Sequence, residues 1–215
     1  MCMRRLRRDE SGGVLVEATV MMLIIFVFVL GAVDFLFAFY QWNSAVKAVQ
    51  SGSRIAVVSP PVTNGLNALS NAVVSAEQPL GSPMPYFKVE CAGGACTCTG
   101  TCTGVSGYNA TYMNWLVFGR DNDAACSPVT SYYRAGMCHF FWRVTPANVR
   151  VTYEQTGLGF AGRTGGPVPT VTVTLQNLNF QFFFLGGLMG FGNIPIQPVA
   201  TMSGEDLANG PASGS

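Results

Sequence analysis

Val14 to Phe39 is a run of 26 residues with two charges in it, Glu17 and Asp34. As a helix rising about 1.5 Å per residue it reaches about 39 Å, more than the ~30 Å hydrocarbon core of a bilayer. Arg4, Arg5, Arg7 and Arg8 crowd the segment before it. Basic residues stay on the cytoplasmic side, so the N-terminus is expected inside and the long C-terminal part exported. Cleaved secretory signals have an apolar core of about 7–15 residues and small residues at the cut. This run is longer, and Phe35-Leu36-Phe37-Ala38-Phe39 offers no such site, so the reading is a single-pass membrane anchor.

The helical pattern continues past Phe39. Ala45, Val46, Val49, Gly52, Ile55 and Ala56 recur at spacings of three and four, with Lys47, Gln50, Ser51 and Arg54 on the other face. Pro60-Pro61 ends the pattern. The sequence therefore predicts one helix over about 13–59, membrane-spanning over about 14–39 and amphipathic over 40–59.

Scarcity of charge is not confined to the anchor. The chain holds 12 basic and 11 acidic residues, 11% in all, where a soluble domain carries about 25%. From Tyr40 onward there are 15 charges in 176 residues. A net charge of +1 argues against a nucleic-acid binder, which needs clustered cations. A single histidine, His139, argues against His-dependent catalysis and His-rich metal sites.

Beyond the prolines a short helix is expected at 66–76, then strands at 86–90, 140–144, 149–153, 171–175 and 197–202, with 91–107 as a stapled loop. The fold class is α+β: a long N-terminal helix, then an exported, antiparallel β-rich domain over 60–203. Residues 1–12 form a basic cytoplasmic leader, and 204–215 a polar, disordered tail. Phe180 to Ile196 is apolar, but its continuous part, Phe182 to Gly192, is too short to span. It reads as a sticky loop that rests on the membrane surface, on a neighbouring subunit, or on the domain's own sheet.

Cys91, Cys96, Cys98, Cys102, Cys126 and Cys138 form an even set on the exported side, and Cys2 lies apart in the leader. Disulfides are expected there rather than metal, since Cys96 and Cys98 are too close for the usual zinc pair spacing. Six cysteines admit 15 pairings, and the sequence does not choose among them. Gly157-Leu158-Gly159-Phe160-Ala161-Gly162 fits G-x-G-x-x-G, but Arg163 to Pro167 cannot form the helix that would hold a pyrophosphate. Asn109-Ala110-Thr111 is a glycosylation sequon of low specificity, and Asp121 and Asp123 near Arg120 read as a solvated turn. No catalytic constellation is visible, and no cofactor is expected.

Acids inside an apolar run are costly and are functional candidates. Glu17 stands fifth in a chain cut after Gly12, where it could neutralise a new ammonium at Gly13. This arrangement resembles the class III signal of type IV pilin-like proteins. More narrowly, Ser11-Gly12-Gly13-Val14-Leu15-Val16-Glu17-Ala18, Gly31-Ala32-Val33-Asp34-Phe35 and Gln41 through Arg54 resemble the TadE-like pseudopilins, or minor pilins, of the tight-adherence (Tad) pilus system. Val33-Asp34-Phe35 stands where the family has a V-E-F-like triplet. Ala18 replaces the usual aromatic, and the family's proline in the apolar run is missing.

The resemblance implies cleavage by a prepilin peptidase between Gly12 and Gly13, with Glu17 and Asp34 as assembly carboxylates. It implies a non-catalytic role in building an adhesive or secretion-type surface filament. The partners would be other pilin subunits, the Tad assembly machinery and the bilayer. The competing reading is an unprocessed, membrane-anchored binding module of the cell envelope.

Overall fold

The computed structural model describes residues 10–119, 125–126, 135–190 and 193–204. Arg4, Arg5, Arg7, Arg8, the Arg120–Asp123 turn and the tail from 205 lie outside the described residues.

Helix α1 runs from Glu10 to Val58. It carries no proline and extends to Val58, just before Pro60-Pro61, as their missing N–H and ring bulk require. The chain divides into two compact units, with breaks after Tyr40, after Leu178 and after Ile194. One unit holds the apolar part of α1 together with the 179–194 loop; the other holds the rest.

In the second unit, Ala45, Ala48, Val49, Gly52, Ile55 and Ala56 are buried, while Lys47, Gln50 and Arg54 are exposed. This is the two-faced continuation that the three-four spacing predicts. The absence of a side chain at Gly52 leaves room for a neighbour. A Cβ there would lie 2.6 Å from Sδ of the fully buried Met137. Gly52→Val should destabilise the domain by about 1–3 kcal/mol through overpacking. Combining it with Met137→Ala should give a loss smaller than the sum of the two single losses. Strictly additive losses in denaturant unfolding would contradict this packing.

After β1 (Thr63–Asn64), a 3-10 turn at Leu66–Ala68 leads into α2 (Leu69–Ala72), shorter than the expected helix. Strands β2 (Phe87–Ala92) and β3 (Ala95–Gly100) form a hairpin through Gly93-Gly94. Strand β4 (Ser106–Tyr108) pairs with β1, and α3 follows at Ala110–Phe118. Most of the segment expected as a loop at 91–107 is thus strand. The sequon's Asn109 is the N-cap of α3, accepting from the Tyr112 N–H at 3.3 Å. The strand expected at 140–144 is absent. A 3-10 turn at Met137–His139 precedes it, and the Phe140 and Phe141 N–H groups donate to the Met137 carbonyl. Phe141 and Val144, three apart, face inward together, which a strand cannot do.

Strands β5 (Val149–Glu154), β6 (Thr170–Leu175) and β7 (Val199–Ser203) complete a five-stranded antiparallel sheet of order β3-β2-β5-β6-β7. Alternation puts Phe87, Val89, Cys91, Val149, Val151, Tyr153, Val171, Val173 and Leu175 on one fully buried face. Lys88, Arg150, Thr152, Thr172 and Thr174 take the other. Helix α4 (Leu185–Met189) lies between β6 and β7 in sequence.

Tyr153 ties the core to the chain that follows α1. Its hydroxyl oxygen accepts from the Val62 N–H at 3.0 Å. Burial pushes its phenol far above the ordinary range, so it stays neutral. Tyr153→Phe should cost about 1–3 kcal/mol by leaving a buried N–H without a partner. An unchanged thermal midpoint would contradict that bond.

Candidate functional site: the acidic helix and its aromatic loop

The anchor segment of α1 has little of its own chain to pack on. From Val14 to Val29 its large apolar side chains are 42–78% exposed. Only 6% of the most apolar window is buried, and this is the one helix among the described residues long and apolar enough to cross a membrane. Such a surface needs lipid or other helices.

Gly12 and Gly13 stand in the first turns of α1, exposed, with nothing near where a Cβ would sit. Glu17 is exposed on the next turn. Asp34 lies 17 residues on, about 25 Å along the axis and on a different face, so the two acids do not form a pair.

Asp34 is wholly buried. Its Oδ1 accepts from the Phe183 N–H at 2.9 Å, and its Oδ2 from those of Phe184 and Leu185 at 2.8 and 2.6 Å. These donors open α4, whose first N–H groups have no intrahelical partner. A carboxylate in an apolar run is thus satisfied by a loop about 150 residues away in sequence. Leu185 reaches to 3.9 Å of where a Cβ on Gly31 would lie, one turn before Asp34. Phe37, one turn after it, meets Phe183 with ring centroids 4.7 Å apart. The Phe180 N–H donates to the Ile194 carbonyl at 2.9 Å and closes the loop's neck. Sequence reasoning marked both Asp34 and the loop but did not connect them, because no local pattern carries a contact of that separation.

The other marked residues lie elsewhere. Three local disulfides form: Cys91–Cys96, Cys98–Cys102 and Cys126–Cys138. The first joins directly opposed residues of the β2–β3 hairpin. Potential ligand atoms of Cys126, Cys138 and His139 come within 4.8 Å of one another, but the two sulfurs are bonded and offer no thiolate. His139 is held by its own turn, its Nδ1 accepting from the Gly136 N–H at 3.1 Å. Gly157, Gly159 and Gly162 all have left-handed φ, at 96°, 82° and 81°. They build turns rather than open a helix, so the G-x-G-x-x-G match is a turn signature.

An apolar helix that runs on into a disulfide-stapled antiparallel sheet defines the class: a helix-anchored α+β protein whose prominent polar feature in the anchor is an acid. Residues 12–54 match the family of TadE-like proteins. The match takes in Gly12, Gly13, Glu17 and Asp34 and bears out the resemblance read from the sequence. It covers about a fifth of the chain and stops before the sheet. No curated protein and no solved structure matches the chain. Over that stretch the chain is similar to a family of Tad pilus-associated, pilin-like proteins, which are generally structural rather than enzymatic.

Proposed function

We propose that the chain is a TadE-like pseudopilin or minor pilin, a non-catalytic subunit of Tad pilus assembly at the inner membrane. The observation that carries this reading is the family match over 12–54. It coincides with the exposed anchor, the Gly12-Gly13 junction and Glu17. A prepilin peptidase would cut between Gly12 and Gly13, at the start of the helix, where backbone groups lack partners and the turn opens readily. Arg4, Arg5, Arg7 and Arg8 would hold the leader in the cytoplasm. The exposed apolar surface of α1 would pass from lipid to the helices of neighbouring subunits. Deleting the gene should abolish or sharply reduce surface filaments, and re-expression should restore them. Normal filaments in the deletion strain would refute the reading and favour the envelope-bound binding module.

A further inference from the structure

The loop pinned by Asp34 has a composition unlike a surface loop. No charged residue occurs between Arg163 and Glu205. Phe180, Phe182, Phe183 and Phe184 fall within five positions. Phe183 stays 66% exposed and Phe184 44% exposed, although the loop is fixed by three hydrogen bonds to one carboxylate. Beside it on α1, Phe35, Phe39 and Tyr40 are 60–70% exposed.

The depth of this patch follows from the helix. From Val14 to Asp34 is 20 residues, about 30 Å of axial rise, which equals the thickness of the hydrocarbon core. With the inner boundary of the core at Val14, Asp34 falls at its outer boundary, and the apolar residues from Phe35 to Phe39 continue through the interfacial zone. Aromatic side chains collect at that level. A buried carboxylate there needs donors, and the loop's backbone supplies them without adding charge.

We propose that residues 180–190 are an interfacial foot. The loop lies in the lipid boundary beside α1 with Phe183 and Phe184 in the acyl-chain margin, fastened by Asp34. The occupant of the patch is phospholipid, because the patch is continuous with the lipid-facing surface of the anchor and carries no charge for an ionic partner. This rests on the membrane-anchor reading of α1 and is independent of the pilus role.

The test uses the full chain in nanodiscs of phosphatidylethanolamine and phosphatidylglycerol, with photoreactive benzoylphenylalanine at position 183. Irradiation should attach phospholipid to the chain. Asp34→Asn should lower that yield at least about fivefold while α1 stays resistant to alkaline carbonate extraction. An adduct to a second copy of the chain, or no adduct, would overturn the proposal. So would an Asp34→Asn yield equal to the parent's. Should the variant misfold, the adduct at 183 in the parent chain decides alone. Extraction of the parent chain by carbonate would refute the anchor reading itself, a separate outcome.

Discussion

Asp34→Ala should expose the amides of Phe183, Phe184 and Leu185 to solvent exchange at least about a hundredfold faster than in the parent chain. The substitution removes both oxygens that those three N–H groups meet at 2.6–2.9 Å. It leaves part-buried donors with nothing to accept from them, which costs more than a hydrogen bond contributes. Helix α4 has five residues and cannot persist alone, because helices that short do not offset their nucleation cost. The loss should be confined to the loop. Amides in β2, β5 and β6, which pair with one another, should exchange as before. Unchanged exchange at 183–185 would contradict the clamp. Equal acceleration across the sheet would mean that Asp34 holds the fold rather than the loop.

Glu17→Ala should leave the chain in the membrane and cut surface filaments at least about tenfold. Removing a carboxylate from an apolar segment eases insertion, so the anchor is not at risk. What disappears is a partner for the ammonium that cleavage between Gly12 and Gly13 would create. Gly13 and Glu17 are four residues apart and share a helix face, close enough for a charge pair. In an apolar setting, an ammonium left without its carboxylate is strongly disfavoured. Glu17→Asp keeps the charge but shortens the reach, and should retain intermediate filament levels. Wild-type filaments in Glu17→Ala would remove Glu17 from assembly.

Sequence periodicity carried the long helix because it is regular over 49 residues and is ended by Pro60-Pro61. It carried β5 and β6 because their alternation matches a sheet with one buried face. Helix α3 was missed although its signals are present: Asn109 as cap, Met113, Leu116 and Val117 on one stripe, and Gly119 after the end. The β2–β3 hairpin was hidden behind cysteines, yet Gly93-Gly94 between alternating residues is a two-residue turn signal. Phe140 to Val144 misled because β-prone residues took a tight turn that the 3-10 segment before them imposes. Asp34 was marked by its cost in an apolar run, but its partners are backbone groups. Their positions depend on the tertiary path and leave no trace in residue type.

The central claim is that α1 begins, in the working protein, at Gly13. Intact-mass and N-terminal peptide measurement of the chain, purified from cells with an active prepilin peptidase, tests it most directly. The account predicts a mature chain that starts at Gly13 and carries Glu17 at its fifth position. A chain that still begins at Met1 would contradict it.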